Sequence, residues 1–235
     1  MTENQQLEIV RENAKRIKYE VSEAAVKYGR TPDDVRIMAV TKTVPAMLVN
    51  AAIEEGFSLL GENRAQELCA KYDEYSQNAE IHFIGRLQTN KVKYITDKIS
   101  MIQSVDSIKL AREISKHAQK HGKTMPVLVE INAAMEQSKG GINRAALTEF
   151  LCELAQIPFI KVEGLMTIPP ADADELETEK FFSQLYGSFL DTREQKIDNI
   201  NMYTLSMGMS SDYKSAIKHG STLVRIGSAL FGLRK

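Results

Sequence analysis

At 235 residues and 26.4 kDa the chain suits one α/β barrel or two small domains, and its 43% apolar content supplies a sizeable core. Lys+Arg 30 against Asp+Glu 31 leaves no basic excess of the kind a nucleic-acid footprint requires. The charged N-terminus has no apolar signal core, and no segment approaches the ~20 apolar residues of a membrane span, so a cytoplasmic protein without membrane or nucleic-acid partners is expected.

In chain order, residues 1–30 read as one amphipathic helix, with Leu7, Val10, Ala14, Ile17, Val21 and Ala25 recurring at three- and four-residue steps. Thr31-Pro32 then forms an N-cap and N1 pair that opens a turn or short helix. Short apolar runs follow at 35–42, 57–63, 81–87, 101–106, 126–132, 160–168, 201–208 and 222–232. Amphipathic stretches lie between them, near 46–55, 64–76, 90–97, 107–121, 143–156, 174–190 and 210–219. Eight apolar strands with a helical pattern in every gap predict parallel pairing and burial on both faces. That count favours a closed (β/α)8 TIM barrel over an open sheet, with the leading helix packed outside a barrel spanning 35–232. No linker marks a second domain, and Pro169-Pro170-Ala171-Asp172 reads as a strand-to-helix loop, so residues 1–235 form a single domain. Cys69 and Cys152 fall in helix-like stretches without His or Cys at ligand spacing, and are expected reduced and buried, with no disulfide or zinc site.

Chemistry in such a barrel sits at the C-terminal ends of the strands. Those ends carry Lys42, Glu62-Asn63-Arg64, Arg86, Gln88, Asn90, Asp106, Glu130, Asn132, Thr167, Ser206 and Arg225. Met38, Val40 and Lys42 share one strand face; if it is the barrel interior, burial favours the uncharged amine that attacks an aldehyde. A lysine reaching out to solvent is the other reading. In LSMGMSSDY (205–213), Gly208 permits a tight turn and Ser206, Ser210 and Ser211 offer hydroxyls before a helix start, which suits a phosphate or an ordinary N-cap. In LVRIGSALFG (223–232), Arg225 interrupts an apolar run and needs an acceptor, either a ligand or a carboxylate such as Glu130 or Glu163. Gly227-Ser228 can add a backbone N–H and a hydroxyl. His82 reads as structural, and Met166, Met207 and Met209 as core or pocket-wall fillers.

The segments AVTKT (39–43), GENRAQE (61–67), HFIGRLQTNK (82–91), SVD (104–106), VLVEIN (127–132), GLMTI (164–168), LSMGMSSDY and RIGSALFG together resemble the pyridoxal 5′-phosphate homeostasis protein family. The resemblance runs from about residue 8 to the C-terminus. It implies a single barrel similar to the N-terminal domain of alanine racemase, fold type III of the pyridoxal-phosphate proteins. It also implies that Lys42 holds the cofactor as a Schiff base and that Ser206, Gly227 and Ser228 take its phosphate. Arg225 then faces the ring nitrogen, and Asn63, Met166 and Met207 line the cofactor.

An arginine can only donate, so it leaves the ring nitrogen unprotonated and the ring a poorer electron sink. Racemisation needs an acid/base group on each face of the substrate carbon. Lys42 serves one; racemases of this fold draw the other from a further domain, expected to be absent, and Tyr213 lies on the wrong side. The reading is a cofactor carrier without efficient turnover, monomeric, in transient contact with pyridoxal-phosphate-dependent apoenzymes. An amino-acid racemase and a Schiff-base aldolase acting on a sugar phosphate are the alternatives.

Overall fold

The computed structural model describes residues 2–132, 140–170 and 172–232. Thr2 caps α1 (Glu3–Lys27) through a reciprocal bond with Gln5, and the helix buries Val10, Ala14, Ile17, Val21, Ala24 and Ala25. Of these, Val10, Ile17 and Val21 each contribute roughly 1.5–3 kcal/mol by leaving water.

Eight parallel strands then close in sequence order: β1 (Arg36–Val40), β2 (Leu59–Glu62), β3 (Glu80–Phe83), β4 (Met101–Val105), β5 (Met125–Ile131), β6 (Ile160–Thr167), β7 (Ile200–Met209) and β8 (Leu223–Ile226). The ring shuts where β1 pairs with β8, Met38 lying opposite Arg225. Between successive strands run α2 (Ala46–Glu54), α3 (Ala65–Lys71), α4 (Val92–Ile95), α5 (Ile108–Lys120), α6 (Leu147–Ala155), α7 (Glu175–Glu194) and α8 (Tyr213–Lys218). α1 packs outside, against α2 and α8.

The period of two along each strand divides the core. Ala39, Leu60, Phe83, Ile102, Val127, Val129, Leu165, Met207 and Val224 point outward into one large cluster with the helices. Their neighbours point into the lumen, as Met38, Leu59, Ile84 and Leu223 on one side and Met101, Leu128 and Met166 on the other.

Three expectations are corrected. The last apolar run is not one strand: at Gly227 (φ −116, ψ −82) the chain leaves the ladder, and Ser228–Phe231 form a short helix, α9. β1 ends at Val40 rather than at 42, so Lys42 belongs to a turn, and of the two readings its place left open the exposed one holds. Cys69 and Cys152 lie in α3 and α6 but face solvent, the buried stripes of those helices being taken by Ala65, Leu68, Leu147, Leu151 and Leu154. Of the loop 169–172, Ala171 lies outside the described residues, as do Met1 and residues 233–235.

Candidate functional site

The turn that carries Lys42 is held at every other residue. Thr41 N–H donates to Gly61 O at 3.1 Å and Val44 N–H to Thr41 O at 3.1 Å. Thr41 Oγ1 donates to Glu62 Oε1 at 2.7 Å, and Tyr75 OH donates to the same oxygen. Burial, then the neighbouring Glu62 carboxylate, push the Tyr75 hydroxyl up, so it stays a donor. Thr43 takes φ 60, the left-handed region that a β-branched residue avoids, and its N–H donates to Glu67. Lys71 Nζ pairs with that carboxylate and donates to Thr41 O at 3.2 Å and Val44 O at 3.0 Å. The Lys42 amine makes no hydrogen bond or ion pair to the described residues and lines a cavity of about 400 Å³.

Val40, Ile84, Ile168 and Met209 form the apolar wall of that cavity, and Asn63, Ser210, Ser211, Arg225, Gly227 and Ser228 its polar wall. Asn63 is pressed into place by Gly85, where any β-carbon would collide with the Asn63 carbonyl. Gly208 (φ +93) makes a sharp turn in β7 where the register shifts between the Ser206–Leu223 and Met209–Arg225 pairs; a β-carbon there would lie 2.5 Å from Ala216 Cβ. The turn brings Ser210 Oγ to the start of α9, where it accepts from Gly227 N–H at 3.1 Å and Ala229 N–H at 3.2 Å. Two backbone donors therefore converge on a single oxygen at the cavity wall.

Arg225 closes the floor. It is buried, donating to Ser206 Oγ at 2.7 Å and Thr167 O at 2.8 Å. Burial lowers its pKa to about 10 against the pull of Asp212 and Glu130, so the guanidinium remains charged at neutral pH. Nearby, burial and then Asp106 raise the Glu130 carboxyl to about 7, while Arg225 and Arg86 oppose the rise.

Of the residues singled out from sequence, Lys42, Asn63, Arg225, Gly227 and Ser228 meet around this one cavity. Three do not line it. Ser206 is fully buried beneath Arg225, its oxygen taken by that guanidinium and its proton given to Gln103, which leaves nothing for a phosphate; Ser210 stands where that hydroxyl was expected. Met207 points outward among the helices because its register is opposite to that of Ser206. Met166 fills the lumen beside Met101 and Leu128. Gln103 and the Glu62–Tyr75 and Glu67–Lys71 pairs went unnoticed in the sequence. A glutamine inside the apolar run MIQSV is a visible anomaly, and Glu67–Lys71 is an i,i+4 pair within α3, whereas Glu62–Tyr75 spans elements and leaves no local mark.

The sequence profile described as "Alanine racemase, N-terminal domain" matches residues 10–235. The chain belongs to that family. Within it the chain is 39% identical over 225 residues to the pyridoxal phosphate homeostasis protein of Aquifex aeolicus, covering 95% of this chain and 98% of that one. It is 35% identical over 228 residues to the protein of that name from Escherichia coli K12, with 94% and 95% covered, and is thus a member of the pyridoxal phosphate homeostasis proteins. The structure of PipY of Synechococcus elongatus with PLP bound superposes with a TM-score of 0.80 at 31% identity, covering 90% of this chain and all (100%) of that one. Alanine racemase of Clostridium difficile, at 18% identity and a TM-score of 0.74, shares the fold; this chain spans 98% of its own length and 57% of the racemase chain.

Proposed function

We propose that the protein binds pyridoxal 5′-phosphate through a Schiff base on Lys42 and holds it without efficient turnover, serving the intracellular balance of the cofactor. The observation that carries this reading is the meeting of a lysine side chain unpaired among the described residues, a charged donor-only guanidinium and two converging backbone N–H groups around one cavity. The bound group supplies an aldehyde carbon and a conjugated ring able to delocalise charge.

The chain's own residues do the rest. The turn 41–44 is fixed from both sides, so Lys42 reaches the aldehyde position with only its side chain to order. The N–H groups of Gly227 and Ala229, which here donate to Ser210 Oγ, would hold the phosphate together with the Ser211 and Ser228 hydroxyls that line the same cavity. Arg225 offers its remaining N–H bonds to the ring nitrogen and supplies no proton to it at neutral pH. Asn63 and the apolar wall set the orientation of the ring.

Lys42 is the only acid/base group lining the cavity among the described residues, Arg225 being held charged. Tyr213 gives its hydroxyl to Glu20 of α1. That arrangement favours a carrier over a racemase, which needs a second group across the substrate. The test is to load purified protein with pyridoxal 5′-phosphate, follow the visible band, and then add single-enantiomer amino acids. A stable band without racemisation supports the carrier. Turnover at ordinary enzymatic rates, roughly 1–10³ per second, overturns it, and a protein that cleaves sugar phosphates without the cofactor points to the aldolase.

A further inference from the structure

The lumen of a barrel with eight strands is normally filled by branched apolar side chains. Here one line of polar groups crosses it. Arg225 NH1 donates to Ser206 Oγ at 2.7 Å, and Ser206 Oγ donates to Gln103 Oε1 at 2.7 Å. Gln103 Nε2 lies 2.9 Å from His82 Nδ1, and His82 Nε2 lies 2.8 Å from Glu80 Oε1. β7 and β4 are separated by two strands on one side of the ring and four on the other, so the Ser206–Gln103 bond spans the lumen. The line starts under the cavity and ends at the first residue of β3, on the opposite face of the barrel.

The two ends fix its direction. A guanidinium can only donate, so Ser206 must accept from it and spend its one proton on Gln103 Oε1. The amide then presents Nε2 to the imidazole, which forces Nδ1 to accept and leaves the ring proton on Nε2. That proton faces Glu80, which the His82 bond and then Arg36 hold down to about 2, a pure acceptor at neutral pH. Every link thus points the same way, from the cation to the carboxylate. Ser206 and Gln103 are 0% exposed, His82 1% and Arg225 3%, so water cannot replace a lost link. The apolar clusters around Met38 and Met101 offer no substitute partner either.

We propose that Ser206, Gln103 and His82 are positioning residues for the cofactor ring, acting through Arg225 as one polarised hydrogen-bond chain. This rests on the reading that Arg225 meets the ring nitrogen. With the chain intact, NH1 and NH2 are tethered at Ser206 and Thr167, and the guanidinium turns a single fixed edge toward the cavity. Breaking the chain anywhere leaves Ser206 or Gln103 with a buried group unpaired, and the amide or hydroxyl turns to repair it. Arg225 then loses its tether even when the break lies at His82, across the barrel.

A double-mutant cycle tests this on the full protein loaded with pyridoxal 5′-phosphate, with the half-life of release and the position of the visible band as readouts. Ser206→Ala and His82→Leu each shorten the half-life roughly tenfold, the worth of one charge-assisted bond. The double variant releases no faster than either alone, because both cut the same chain. His82→Gln, which accepts and donates in the same sense, stays within about twofold of the unmodified protein. If His82→Leu fails to fold, Gln103→Leu takes its place in the cycle. Nitrogen-15 spectra of the unloaded protein show His82 as the Nε2–H tautomer. Additive effects, near a hundredfold for the double variant, overturn the proposal, as does an Nδ1–H tautomer. Borohydride trapping on Lys42 is recorded throughout. Its absence in the unmodified protein overturns the cofactor reading and this role together, whereas trapping with additive effects overturns this role alone.

Discussion

Replacing Lys71 with Met removes the clamp on the Lys42 turn while keeping the aliphatic stem. The amine bonds two carbonyls, at 3.2 and 3.0 Å, and pairs with Glu67. The two side chains are 15% and 18% exposed, so water compensates only in part. Breaking a buried pair costs about 3–5 kcal/mol, and the residual exposure brings the expected loss to about 2–3 kcal/mol. For a chain of this size about 2–4 °C accompanies each kcal/mol, so thermal unfolding followed by circular dichroism shifts down by about 4–12 °C. Thr43, strained at φ 60, is then free to relax, and Lys42 loses its fixed approach to the cavity. Trapping of the cofactor aldehyde on Lys42 slows in parallel. Replacing Glu67 with Leu as well restores part of the lost stability, because the orphaned carboxylate is gone. A Lys71→Met protein that melts within about 1 °C of the original, well inside that expected shift, and traps at the original rate refutes the clamp.

Gly208→Ala brings a β-carbon within 2.5 Å of Ala216 Cβ and 3.0 Å of Tyr213 Cα at a left-handed φ. It costs on the order of 1–3 kcal/mol, read as a lower unfolding midpoint and as loss of inorganic phosphate binding by calorimetry. Glu130, raised to about 7 from its usual 4.5, contributes stability that is present below pH 4.5 and lost as pH rises through 7. Glu130→Gln therefore flattens the stability profile across that window by about 1–2 kcal/mol, measured by urea unfolding at several pH values. Glu20, held near 2 by the Tyr213 hydroxyl and then Lys214, works in the opposite sense, its stability present above pH 4.5 and lost as pH falls toward 2. Tyr213→Phe weakens the docking of α1 by about 1 kcal/mol and shifts acid unfolding to higher pH.

The barrel was legible because eight apolar runs, with a helical pattern in every gap between them, have few other ways to bury both faces. The position of Lys42 was legible from its place after Met38-Ala39-Val40, but its environment was not. The strand stops two residues earlier, and the turn depends on Glu67 and Lys71, which lie more than a helix away in sequence. Ser206 and Ser210 could not be told apart in LSMGMSS, since the choice turns on Gly208 at φ +93 and on the pairing of Ser206 with Gln103, 103 residues away. Met207 was placed in the site because the motif names neighbours without saying which face each takes. The helix after Gly227 looked like more strand because Ala229, Leu230 and Phe231 are apolar in either conformation.

The most direct test of the central claim is reduction of the loaded protein with borohydride, followed by peptide mapping, with Lys42→Ala alongside. A single pyridoxyl adduct on Lys42, absent from the variant, is the result expected. A colourless protein, or an adduct carried equally by the variant, contradicts the account.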